Sequence, residues 1–127
     1  MGKAKLLGAF VALIAAIFAV PSASGETTHT YAVTLTISVD RGAQKLSGTI
    51  VTDAPSEFCD SSTVRIRQAM PGHDRVVARL FPEAAEWRMK STPALRGARV
   101  YAEVLAYRLP QRPVECLGAR SRAVTAP

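Results

Sequence analysis

Cys59 and Cys116 are the two cysteines of this 127-residue chain and the residues in it with the most definite chemistry. An even cysteine count behind an export leader predicts that the two thiols are oxidised to each other. Zinc would need further ligands, and no histidine stands near either cysteine in sequence to supply them. Nucleophilic catalysis needs a base beside the nucleophile and a group that orients the base. Only His29 and His73 carry imidazoles. His29 follows the leader, where chain ends fray. His73 precedes Asp74 in the turn Pro71-Gly72-His73-Asp74, an Asp-His pair that a distant serine would have to complete, and a solvated turn histidine is the expected outcome. Asp53, Glu57 and Asp60 gather around the first cysteine, but their spacing is not the Asp-x-Asp-x-Asp-Gly pattern of a calcium loop. These patterns predict a non-enzymatic chain with no metal or cofactor.

Two sets of residues can bind without reacting. Trp87, Tyr101 and Tyr107 are the aromatics that a sugar-binding platform would use. Residues 101 and 107 share parity along one strand, about 20 Å apart. Val100, Ala102, Val104 and Ala106 form the smaller apolar face of the same segment, so either face can be turned inward, and core packing of the aromatics is the expected outcome. Arg65, Arg67, Arg79, Arg88 and Lys90 alternate with Val64, Ile66, Val76, Leu80, Trp87 and Met89 and are expected to point away from the core. Such a face keeps sheet edges soluble. Its sharper reading is a surface for an anionic cell-surface polymer, glycan or phospholipid head, partly neutralised by Glu86 and Glu103. The formal net charge is +6, two units of it from Lys3 and Lys5, which is too dilute for a nucleic-acid binder.

The elements that position these residues begin after residue 25. Lys3 and Lys5, the apolar run 6–20, Pro21, and the small residues Ser22, Ala23, Ser24 and Gly25 make up a cleavable signal peptide, with the cut before Gly25 or Glu26. The run falls short of the roughly 20 residues that span a bilayer, so no transmembrane anchor is expected. It is followed by no lipid-accepting cysteine and preceded by no Arg-Arg pair. Residues 26–127 suffice for one domain with a modest core. Segment 30–40 alternates strictly, with Tyr31, Val33, Leu35, Ile37 and Val39 on one face, and turns at Arg41-Gly42-Ala43 into 45–52 as a hairpin. Further strands are expected at 63–69, 75–81, 86–90, 98–109 and 121–125, with both cysteines in loops. Short strands at this spacing, separated by turn signals, predict an all-β antiparallel sandwich of about seven strands.

Several short motifs occur in this order: Leu46-Ser47-Gly48, the loop cysteine Cys59, the strand and Pro-Gly-x-Asp turn over 64–74, Trp87, Arg99-Val100-Tyr101-Ala102-Glu103-Val104, Cys116, and Ser121-Arg122-Ala123-Val124. In that order the chain resembles small secreted bacterial domains of the immunoglobulin-like or transthyretin-like sandwich type. It departs from them over 81–86, which lacks the Asp-x-x-Gly turn that relatives carry before the tryptophan. The resemblance implies a sandwich and an exported location, extracellular or periplasmic, and no chemistry. The expected function is a structural or surface-binding role in the cell envelope or medium. A carbohydrate-binding module using exposed aromatics is the alternative.

Overall fold

The computed structural model describes residues 27–55 and 58–127; the leader expected over 1–25, the cleavage point and Glu57 lie outside them. Among the described residues the protein is all-β, apart from one 3-10 turn at Pro93–Leu95. No helix there is long and apolar enough to cross a membrane.

The expected first strand is divided into β1 (His29–Tyr31), β2 (Val33–Leu35) and β3 (Ser38–Asp40), because the chain changes partners along it. Both β2 and β3 pair antiparallel with β4 (Lys45–Thr52) in one uninterrupted register, which is the expected hairpin. Asp40 closes its turn by accepting a hydrogen bond from the Ala43 amide at 3.0 Å. The ladder lapses only at Thr36 and Ile37, where Gly48 lies opposite and Trp87 crosses β4. As the alternation predicts, Leu35 and Ile37 are buried at 5 % and 3 % exposure.

β5 (Val64–Gln68) and β6 (Arg75–Leu80) form the next antiparallel pair, and β7 (Glu86–Lys90) returns to the free side of β4. The register of β5 on β6 shifts between Ile66 and Arg67. This bulge moves Val77 into the core in place of Val76, which lies opposite the outward-facing Arg67. Between β6 and β7, Glu83 and Glu86 exchange backbone hydrogen bonds of 2.9 Å around Ala84 and Ala85. Both alanines adopt positive φ, 49° and 61°. A two-residue hairpin turn requires that conformation, and glycine or asparagine usually supplies it. The chain makes the turn here with L-alanines, at some backbone strain.

The long strand expected over 98–109 breaks where the chain leaves one sheet for another. β8 (Arg99–Val104) joins β5, and β9 (Tyr107–Arg108) pairs with β10 (Val114–Cys116), a strand read from the sequence as a loop. β10 also takes β1 as a parallel partner. The strand expected over 121–125 is reduced to β12 (Val124–Thr125), and an unexpected β11 (Ala119–Arg120) forms just ahead of it, both on β8. Ser121 bridges the gap between them by accepting the Ala102 amide at 2.8 Å.

Three sheets result. β11, β8, β5 and β6 lie side by side with β12 also on β8; β2, β3 and β7 surround β4; and β1, β10 and β9 make a small third sheet. One apolar cluster is shared by the first two, with Leu35, Ile37, Leu46, Ile50 and Trp87 from one side and Val64, Ile66, Val100, Ala102 and Val104 from the other. A smaller cluster around Cys59, Val114 and Cys116 underlies the third sheet.

Candidate anion-binding face

Cross-strand register gathers charged side chains on the outer face of β5, β6, β8 and β11. Val64 and Ile66 on β5, and Val100, Ala102 and Val104 on β8, turn into the core, so Arg65, Arg67, Tyr101 and Glu103 must turn outward. Glu103 lies opposite Arg65, and Tyr101 lies opposite Arg67. The row through Glu103 continues on both sides, to Arg79 opposite Arg65 on β6 and to Arg120 opposite Glu103 on β11. Arg99 shares parity with Tyr101 and Glu103 and is exposed at the end of the same face.

Glu103 is only 7 % exposed although it stands on the side of β8 away from the core. Its carboxylate accepts a hydrogen bond from Arg65 Nη2, and Arg67 Nη1 and Arg120 Nη2 approach its Oε2 to 3.4 and 3.5 Å. Arg67 also donates to the Asp74 carbonyl at 3.0 Å. Tyr101 donates its hydroxyl to the Asp74 carboxylate, and the Arg120 guanidinium stacks 4.8 Å from the Tyr101 ring centre. Burial alone would raise the Glu103 pKa, but the hydrogen bond from Arg65 and the charges of Arg65 and Arg67 outweigh it and hold the carboxyl below its ordinary range. Asp74 is lowered as well, first by the Tyr101 hydroxyl and then by the Met70 amide. Tyr101 is raised, by its own burial and by that same bond to Asp74.

A carboxyl depressed on folding contributes its stabilisation in full above the ordinary Glu value of 4.5 and loses it as pH falls through the folded-state value. Glu103→Gln is therefore expected to lower the thermal midpoint at pH 7 and to flatten the decline of that midpoint from about pH 5 to pH 3. Melting curves across that range check it; an acid limb as steep as the parent's would remove Glu103 from the account.

No family model, curated protein or solved structure matches this chain. Of the five cations singled out in the sequence, Arg65, Arg67 and Arg79 come together on this face, while Arg88 and Lys90 stand on β7, opposite Ser47 and Lys45 of β4, in the other sheet. The shared core lies between the two groups, so they do not form one surface. Arg99 and Arg120 take their place. Parity with Tyr101 would have pointed to Arg99; Arg120 carried no signal, because β11 is two residues long.

The aromatics are not brought together either. Trp87 is 2 % exposed in the shared core and Tyr101 is 5 % exposed under its arginines. Tyr107 packs beside the disulfide and donates its hydroxyl to the Phe58 carbonyl. Cys59 and Cys116 are bonded to each other, with Cα atoms 5.6 Å apart. Cys116 closes β10 rather than lying in a loop. Asp74, the neighbour that would orient His73, is already committed to Tyr101 and to the Met70 amide at 3.2 Å. No cluster of His, Cys, Asp or Glu able to hold a metal occurs among the described residues.

Proposed function

We propose that this chain is an exported, non-enzymatic β-sandwich module of the immunoglobulin-like or transthyretin-like type, which binds a linear anionic polymer of the cell surface on the outer face of β5, β6, β8 and β11. Two sheets sharing one apolar core support the sandwich. The disulfide and the leader-like residues 1–25 support export, since such bonds persist in oxidising compartments. The exposed-aromatic alternative finds no support, because the Trp87 and Tyr101 rings are covered.

The observation that carries the binding reading is the row Arg79, Arg65, Glu103, Arg120. Arg65 and Arg79 are directly opposed on neighbouring strands. Like charges in that position repel. The sole carboxylate in the row is shared by Arg65, Arg67 and Arg120, and Arg79 has no acidic partner among the described residues. A bound anion would relieve this repulsion. Strands about 4.8 Å apart spread the row over roughly 14 Å of open sheet, which suits a chain of anionic groups better than one small ion.

Titration of the oxidised protein with fluorescent polyglutamate and with poly(glycerol phosphate) tests the reading. Affinity is expected to fall as salt rises to about 0.15 M, where exposed charges are screened beyond about 8 Å. Arg79→Ala with Arg120→Ala should weaken binding about tenfold or more, a loss of about 1.4 kcal/mol. Arg88→Ala with Lys90→Ala should change it little. Salt-independent binding, or equal effects of the two double variants, would count against the face.

A further inference from the structure

At Leu105 and Ala106 the chain steps from β8 to β9, from one sheet to another, and the seam between the two apolar clusters opens to the surface. A trough of ≈ 480 Å³ lies there. Its wall is formed by Leu105, Ala106, Tyr107 and Leu109, faced by the hydroxyl-bearing loop that includes Thr63, and Arg65 lines it as well. Beyond Leu109 a second hollow continues to Phe58, where Arg112 stacks 5.2 Å above the ring.

Three features of the trough call for a ligand of mixed character. Its volume is within the roughly 300–1,000 Å³ of small-molecule sites. Its surface is mostly apolar, and Leu105 is 56 % exposed, a large aliphatic side chain standing in water at the lip. Its charge is one-sided: Arg65 shares the Glu103 carboxylate with two other arginines and faces Arg79 across the ladder. Apolar wall and surplus cation together complement an anionic head joined to an aliphatic tail.

We infer that this trough binds a single-chain anionic amphiphile of the fatty-acid class, its carboxylate near Arg65 and Arg79 and its tail along Leu105, Tyr107 and Leu109. The trough's volume of ≈ 480 Å³ is that of a small-molecule site, which favours a free amphiphile over a two-chain lipid in a bilayer. The inference rests on the same excess of arginine charge as the polymer reading, but it adds a contact that the polymer does not use, the aliphatic wall.

Calorimetric titration of the oxidised protein with laurate below its micelle concentration tests it, beside butyrate, which keeps the head and loses the tail, and dodecyltrimethylammonium, which keeps the tail and inverts the charge. Laurate should bind at least tenfold tighter than either. Leu105→Asn and, as a milder change, Leu105→Ser should each weaken laurate about tenfold while leaving polyglutamate binding intact. Val51→Asn, at an equally exposed apolar position on β4, should leave laurate unchanged. Laurate no tighter than the two controls, insensitivity to both Leu105 variants, or binding seen only with phosphatidylglycerol vesicles would each overturn the inference. If laurate fails while polyglutamate still binds, only the trough is refuted; if both fail, the arginine face is refuted with it.

Discussion

Replacing Cys59 and Cys116 together by Ser is expected to lower the thermal midpoint by well over ten degrees. The bond joins residues 57 apart, and constraining a loop of that length in the unfolded chain contributes about 4 kcal/mol on the loop-entropy account. Domains of this size have a net stability of only about 5–10 kcal/mol. One kcal/mol shifts their midpoint by roughly 4–8 °C. Burial adds to the loss, because both sulfurs are enclosed, Cys59 at 0 % and Cys116 at 1 % exposure, and the new hydroxyls would lie against Val114 and Tyr107. The effect has a place as well as a size. β1, β9 and β10 are two or three residues each and pair only among themselves, so the disulfide is the covalent tie between this sheet and the segment before β5, beside the Tyr107 hydrogen bond to the Phe58 carbonyl. Amide exchange at 29–31 and 114–116 should therefore quicken first when the bond is removed. A double variant with an unchanged midpoint, or uniform exchange across all strands, would sink the argument.

Gly48→Ala should be the most damaging glycine-to-alanine change among the described residues. A Cβ at that position would lie 2.0 Å from the Thr36 carbonyl oxygen and 2.5 Å from Cε2 and Cζ2 of the Trp87 indole. Neither neighbour can give way cheaply. Thr36 is held by its amide on the Thr49 carbonyl at 3.0 Å and by its hydroxyl, which accepts the Thr49 amide at 2.8 Å. Trp87 is 2 % exposed in the shared core. Overpacking of this kind costs about 1–3 kcal/mol when side chains can adjust and more when backbone must move. A loss of about 3 kcal/mol or more is expected, seen as a midpoint at least about ten degrees lower. Trp87→Leu in the Gly48→Ala background should recover part of that loss, since it removes the indole clash and leaves the carbonyl clash. A double-mutant cycle reads this as coupling between the two positions. A Gly48→Ala variant within about 0.5 kcal/mol of the parent would show that the close approach is not enforced.

Such close approaches mark the boundary of what a linear reading reaches. That Gly48 interrupts a strand is visible in 45–52; that Thr36 and Trp87 occupy the space of its missing side chain depends on two other strands. The same boundary runs through the candidate site. Alternation of Arg65 and Arg67 with Val64 and Ile66 placed both arginines outward, since period two is a property of one strand. Which cations share a face is a property of strand pairing, and it separated Arg88 and Lys90 from the others and brought in Arg99 and Arg120. Val76 and Val77 exchanged roles because a bulge, set by the partner strand, shifts the period by one residue.

Residue pattern and composition sufficed for the all-β character of the described residues, the strands expected over 45–52, 63–69, 75–81 and 86–90, the inward face of the first hairpin, and the pairing of the two cysteines, because alternation, turn residues and cysteine count are local or compositional quantities. Tertiary structure alone decided the division of 30–40 and 98–109 between sheets, the existence of β10 and β11, and the burial of Tyr101 on the side of β8 away from the core. Strands of two or three residues have almost no propensity signal, and they exist only where a partner distant in sequence satisfies their backbone groups. Tyr101 is covered because Arg120, brought alongside by β11, lies over its ring and Asp74 receives its hydroxyl, contacts between residues 19 and 27 positions apart that no period in the sequence encodes.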